Sequence, residues 1–227
     1  MEGGGETHPL RILKRRHRGL VDAIPNITGV ILAGGKSRRM GEDKRFLRVG
    51  SGTLLDHCRS VMVENFPEVL IITAQDSPPL EAVGCSVHQD LIPDCGSLGG
   101  LYTGLHHARH DRVFVVACDM PFLRSEMVHF FAGRDPRADI VIGRLSSGVQ
   151  PLHAVYGKRA LPVLERMAGA RHLKIQDVLA EPSLNVTVVD ALEWARIDPV
   201  SQSFHNVNTP VDLEEARARV SGRASDK

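Results

Sequence analysis

Short apolar runs, each closed by a polar turn and followed by a segment with helical spacing, set the pattern of this chain. Residues 27–33 (ITGVILA), 69–73 (VLIIT) and 112–117 (RVFVVA) are nearly continuous hydrophobic stretches rather than alternating ones. Strands of that kind are buried on both faces, as in a mainly parallel sheet covered by helices on each side. Further strands are expected at 83–88, 139–143, 152–156 and 186–189. Helices are expected at 53–64, 99–109, 125–132, 159–168, 174–180 and 211–220. In the first of these, Leu54, Leu55, Cys58, Val61 and Met62 fall on one face. The fold class is therefore α/β. Ligands of such sheets sit beyond the carboxyl ends of the strands, so the turns after the strands carry the chemistry.

The chain has 227 residues, enough for one large domain, and 42% of them are hydrophobic. Its formal net charge is only +1, so there is no field to draw it onto nucleic acid or a membrane surface. No apolar run approaches the length of a bilayer span. Cys58, Cys85, Cys95 and Cys118 form no C-x-x-C pair and read as reduced thiols of a cytoplasmic protein. Residues 1–26, with Gly3, Gly4, Gly5 and a basic cluster at 14–18, read as a flexible basic tail. The domain is then expected over 27–220, with a short C-terminal tail at 221–227.

After the first strand the chain reads Leu32-Ala33-Gly34-Gly35-Lys36-Ser37-Arg38-Arg39-Met40-Gly41-Glu42-Asp43-Lys44. Glycines let backbone N–H groups approach an anion, and Arg38, Arg39 and Lys44 add positive charge, a combination suited to a triphosphate. The Walker A spacing fails, because position 30 is Val30, and no G-x-G-x-x-G occurs. The competing explanation is a glycine-rich turn with solvated charges. Residues 89–101 (QDLIPDCGSLGGL) run into a helix N-terminus, which favours an anion or a base edge, or is an ordinary connection. The strand at 112–117 delivers Cys118-Asp119-Met120-Pro121. An aspartate there needs a partner. Mg²⁺ shared with a nucleotide phosphate is one, and capping of a helix started by Pro121 is another. In His205-Asn206-Val207-Asn208-Thr209-Pro210, Thr209 and Pro210 start a helix, while Asn206 and Asn208 point to one side of an extended segment. They serve either a polar ligand or a turn. Gln150, where a strand begins, is equally open. His106 and His110 are four apart, but a zinc-protease helix needs glutamate where His107 stands, so a solvated helix face is the better reading.

Taken together, LAGGKSRRMGEDK (32–44), DLIPDCGSLGGL (90–101), CDMPF (118–122), QPLHAVY (150–156) and NVNTP (206–210) resemble the molybdenum cofactor guanylyltransferases over about residues 27–220. The resemblance implies a Rossmann-like three-layer fold of the nucleotide-diphospho-sugar transferase type. Gly34-Gly35 favours the guanylyl branch, because cytidylyl relatives usually carry Ala-Ala-Gly there. By the same resemblance, Leu32, Ala33, Gly34, Gly35 and Asp90 contact the nucleotide. Arg39 and Lys44 hold the triphosphate and act with Asp119, which binds Mg²⁺. Gln150, Asn206 and Asn208 face the pterin. Two departures stand out. Gly96-Ser97-Leu98-Gly99-Gly100 lacks the proline of the family's G-P-L-x-G loop, and Thr73-Ala74-Gln75 lacks its asparagine, so that contact is not carried over.

The implied reaction joins GTP to molybdenum-molybdopterin cofactor, giving the guanine dinucleotide cofactor and pyrophosphate. Cofactor-delivering or molybdoenzyme-associated proteins are expected as further partners. The nucleophile is the substrate's own phosphate, already largely ionised at pH 7, so no Ser-His-Asp or Cys-His arrangement is required. The rival readings are the same chemistry with CTP, transfer to another phosphate acceptor, or a non-catalytic carrier of the same fold.

Overall fold

A computed structural model of the protein describes residues 23–34 and 43–225. Strand β1 (Ile27–Leu32) precedes a 3-10 turn (Lys44–Phe46) and the small hairpin β2 (Arg48–Val49) and β3 (Gly52–Thr53). Then come α1 (Leu54–Asn65), β4 (Val69–Thr73), β5 (Ser86–Gln89), α2 (Gly96–His107), β6 (Arg112–Ala117) and α3 (Ser125–Gly133). The second half holds β7 (Ile140–Leu145), β8 (Gly148–Gly157), α4 (Leu161–Gly169), β9 (Val186–Asp190), α5 (Ala191–Trp194) and α6 (Pro210–Ser225).

Seven strands form the main sheet in the order β5-β4-β1-β6-β8-β7-β9. β5, β4, β1 and β6 are parallel, and β9 is parallel to β7. β8 alone runs against its neighbours β6 and β7. The cause is local: only Ser146 and Ser147 separate β7 from β8, and a parallel pair needs a crossover of roughly a dozen residues or more. Pairing of β7 with β8 slips between Ile142 and Gly143, and Pro151 lies in the slipped stretch, where its missing N–H interrupts no ladder.

The sheet is covered on both faces, the expected three-layer α/β arrangement. β1 is buried throughout. Its Ile27 and Ile31 point to the layer of α1 and α3, with Cys58, Met62, Met127 and Phe131. Val30 and Leu32 point to the layer of α2 and α4, with Leu98, Leu101, Leu105 and Leu164. Each such fully buried aliphatic or aromatic side chain contributes about 1.5–3 kcal/mol. α2 lies close on β1 because it is glycine-rich: a Cβ on Gly104 would stand 2.7 Å from Val30 Cγ1. A third cluster joins Leu47, Val49 and Leu54 to Phe122, Val207, Leu213 and Ala216. It fastens the hairpin to α6 and to the turn after β6.

Several boundaries differ from expectation. Residues 174–180 form a 3-10 segment (Ile175–Ala180) rather than an α-helix. Residues 23–26, assigned to the tail, already belong to the fold: the Ile24 N–H donates to Asn65 O, and its side chain packs on the core. The closing helix continues to Ser225, so most of the expected C-terminal tail is helical. Residues 1–22, which hold the basic cluster, lie outside the described residues. The hairpin and α5 are too short to leave a periodic signal.

His153 on β8 is fully buried, with ring centroids 5.2 Å from Phe114, 5.2 Å from Phe131 and 4.4 Å from Phe204. Burial pushes its imidazole down to about 4 from the ordinary 6.5. A depressed folded-state value means that the unfolded chain takes up the proton first as pH falls. Stability is therefore full above about 6.5 and is lost as pH falls through about 4, by about 3 kcal/mol in all. Denaturant unfolding from pH 7 to 4 should show this loss in the wild type and a clearly flatter profile in His153→Leu; parallel profiles would refute it. Gly104→Ala should cost about 1–3 kcal/mol in the same assay, because Val30 must move to admit the methyl group.

Candidate active site

Leu32 is level with Ile72 on one side and with Ala117 on the other, so β1, β4 and β6 end together. Two adjoining cavities open over these ends. The larger, about 460 Å³, is lined by Leu32, Gly34, Gln75, Asp90, Gly96 and Ser97 among others. The smaller, about 190 Å³, is lined by Ala33, Lys44, Arg45 and Asp119, and shares Leu32, Gly34 and Ser97 with the first. This is the strand-end crevice of an open α/β sheet, where β1 has parallel neighbours on both sides.

Asp119 is the centre of the smaller cavity. Its carboxylate Oδ2 stands 3.5 Å from Lys44 Nζ, and both side chains are mostly buried. Lys44 Nζ also donates to Asn208 Oδ1 at 2.9 Å. The backbone closes the group: Val207 N–H donates to Asp119 O, and Cys118 N–H donates to Leu32 O. Burial pushes the Asp119 carboxyl above the usual carboxylate range, with Lys44 working against the rise. Its second oxygen, Oδ1, is buried and has no hydrogen-bond partner among the described residues. The helix-cap alternative fails, because α3 starts only at Ser125. A lone carboxylate with an orphaned acceptor suits a hard cation that completes its shell with phosphate oxygens and water. Among the described residues no group of three or more His, Cys, Asp or Glu side chains forms a metal site on its own.

Across the larger cavity, α2 begins without a side-chain cap from Cys95, and its first residues, Gly96 and Ser97, line the cavity. Gly34 lies so close to the end of β4 that a Cβ would stand 3.0 Å from Ala74 N. Asp90 lines this cavity, but its Oδ1 already accepts from Ile92 N–H at 3.1 Å and Thr103 Oγ1 at 2.9 Å. Burial raises the Asp90 carboxyl, and those two bonds oppose the rise. Part of its work is thus to brace the loop from β5 to α2.

The candidates separate into three groups. Leu32, Ala33, Gly34, Lys44, Asp90 and Asp119 converge on the two cavities, and Asn208 joins through Lys44. Asn206 and Gln150 line neither cavity: Asn206 Oδ1 is buried without a partner among the described residues, and Gln150 Nε2 turns back to Gly148 O at 3.2 Å. The two asparagines thus do not share one environment, since Asn208 is exposed. Gly35 and Arg39 lie outside the described residues. Thr209 caps α6 as expected, its Oγ1 accepting from Asp212 N–H. α2 ends at His107, so His106 and His110 do not share a helix, and His110 instead meets Thr28 Oγ1 at 2.9 Å.

Two further residues line or brace the site, and of these Arg45 had no sequence signal. Arg45 lines the smaller cavity. Cys58 is buried and donates its thiol to Met120 O at 3.1 Å, which braces the turn carrying Asp119. Burial pushes the Cys58 thiol up, and that of Cys118 to about 12, so neither supplies a thiolate nucleophile.

Known proteins resemble this chain in sequence and fold. Residues 29–186 match the MobA-like NTP transferase domain. The chain is 36% identical to the probable molybdenum cofactor guanylyltransferase of Pelotomaculum thermopropionicum over 84% of its own length and 91% of the relative's. It is 33% identical to the molybdenum cofactor guanylyltransferase of Desulfosudis oleivorans, over 88% and 98%. The crystal structure of molybdopterin-guanine dinucleotide biosynthesis protein A from Archaeoglobus fulgidus superposes with a TM-score of 0.75 at 26% identity, covering 86% of this chain and all of that one. The chain belongs to the molybdenum cofactor guanylyltransferase family, the MobA-like NTP transferases, and is a nucleotidyltransferase.

Proposed function

We propose that the protein transfers GMP from GTP to the terminal phosphate of molybdenum-molybdopterin cofactor and releases pyrophosphate. The observation that carries this reading is the contact of Lys44 with Asp119 and Asn208 in a cavity that opens into a larger nucleotide-sized cleft. The choice of guanine and of the pterin rests on Gly34-Gly35 and on the names of the relatives.

In this reading the base and ribose occupy the larger cleft, against Leu32, Ala33, Gly34, Gly35 and Asp90, with the N-terminus of α2 beside the phosphates. Lys44 and Arg39 hold the triphosphate. Asp119, whose carboxylate has an oxygen without a partner among the described residues, would hold Mg²⁺, and the bound ion would supply positive charge against the phosphate oxygens. Asn208, which meets Lys44, faces the pterin; Gln150 and Asn206 line neither cavity and are given no contact with it. An oxygen of the acceptor phosphate attacks the α-phosphorus of GTP. The bond from the α-phosphorus to the α,β-bridging oxygen breaks, and pyrophosphate departs with that oxygen. Because the nucleophile arrives ionised, the residues align two anions and offset their repulsion rather than abstract a proton. Cofactor-delivering or molybdoenzyme-associated proteins would exchange the pterin with this face of the molecule.

Calorimetric titration of GTP, CTP, ATP and UTP, with and without Mg²⁺, tests the reading. GTP-selective, Mg²⁺-strengthened binding is expected; CTP selectivity would transfer the protein to the cytidylyl chemistry, and binding of no nucleotide would refute the site. Asp119→Ala should cut turnover by more than about 100-fold, as loss of one transition-state charge partner does; near-normal turnover would remove the metal from Asp119. Lys44→Ala should weaken GTP about 10-fold or more, the range for a lost hydrogen bond to a charged group, with the melting temperature held. A collapse of that temperature would make Lys44 a structural residue instead.

A further inference from the structure

We propose that Arg45 is a phosphate ligand of this site, its Nη1 donating to a phosphate oxygen in the smaller cavity. The proposal rests on the nucleotidyl-transfer reading above.

Arg45 lines the smaller cavity beside Lys44 and Asp119, yet its side chain is only 5% exposed. One edge of the guanidinium is occupied. Nε donates to Asp43 Oδ1 and Oδ2, each at 2.9 Å, and Nη2 donates to Asp43 Oδ2. The Arg45 backbone N–H also donates to Asp43 Oδ1 at 3.0 Å, in the cap of the 3-10 turn. The plane of the guanidinium is therefore fixed before any ligand arrives. The opposite nitrogen, Nη1, is buried and has no hydrogen-bond partner among the described residues. A buried cationic N–H without an acceptor is costly, and a surface ion pair with Asp43 alone would not require it. Arginine can engage a carboxylate with one edge and a phosphate with another; lysine cannot hold two planar partners in this way. Lys44 is already engaged with Asp119 and Asn208, so a second donor beside it spreads the load of a multiply charged ligand. The phosphate belongs either to the nucleotide or to the acceptor, and the chemistry of the contact is the same.

The test compares full-length wild type with Arg45→Gln and Arg45→Lys. Calorimetry gives Kd for GTP with Mg²⁺ and for guanosine. Steady-state assays give KM for GTP and for the pterin acceptor, and thermal melts without ligand report the fold. Arg45→Gln should raise Kd and KM for GTP about 10-fold or more if the phosphate is the nucleotide's. The same rise in the acceptor KM alone would assign it to the acceptor. In either case guanosine binding and the ligand-free melt stay at wild-type values, and Arg45→Lys recovers only part of the loss. Unchanged constants for both substrates, an equal loss for guanosine and GTP, or a loss that follows a fall in the ligand-free melt would each overturn the proposal. Wild-type protein that binds no GTP would instead bring down the nucleotide reading on which it rests.

Discussion

A carboxylate at the end of a buried strand must find partners, and the arrangement of this site follows from how Asp119 finds them. β6 is apolar and sits inside the sheet, so it carries Asp119 to a place poorly served by solvent. The protein answers with Lys44 from the turn after β1 and with the segment around Val207. Parts of the chain separated by more than 160 positions are drawn together, as the Lys44–Asn208 bond records. The neutralisation is incomplete, since the carboxyl remains raised and one oxygen has no partner among the described residues. A carboxylate left in that state at a strand-end cavity marks a candidate functional site.

The scaffold makes this possible by bringing parallel strands to one level. β1 pairs with β4 and β6, so the turns after all three meet over the same edge. The apolar cluster of Leu47, Val49, Leu54, Phe122, Val207, Leu213 and Ala216 then ties the Lys44 turn to the last helix. The position of Lys44 is thus set by packing some distance from the chemistry. Cys58 acts in the same sense from the other face, holding the turn after β6 by its main chain.

The chemistry asked of such a site is modest in proton transfer and demanding in charge. Buried thiols with raised values and a deeply buried neutral His153 supply neither a nucleophile nor a base to the cavities. What remains is a set of cations, a carboxylate and backbone N–H groups. These are groups that hold phosphates in line and offset their mutual repulsion.

The sequence by itself determined the α/β class and the places where chemistry would lie. Continuous apolar runs can be satisfied only by a sheet buried on both faces, and glycines and charges directly after such runs fall at strand ends by necessity. The strand-end segments that carry Leu32, Gly34, Lys44, Asp90 and Asp119 to the cavities were legible on that ground, while the individual roles of Leu32, Gly34 and Asp90 came only from the family resemblance. Tertiary structure alone decided where the more ambiguous polar residues lie. Asn208 reaches Lys44 while Gln150 turns back on its own hairpin, since a β-bulge at Pro151 and a two-residue turn set that orientation. Tertiary structure alone also exposed Arg45. Its significance lies in one edge held by Asp43 and one nitrogen left without a partner among the described residues, a matter of distance and burial that no spacing of letters encodes.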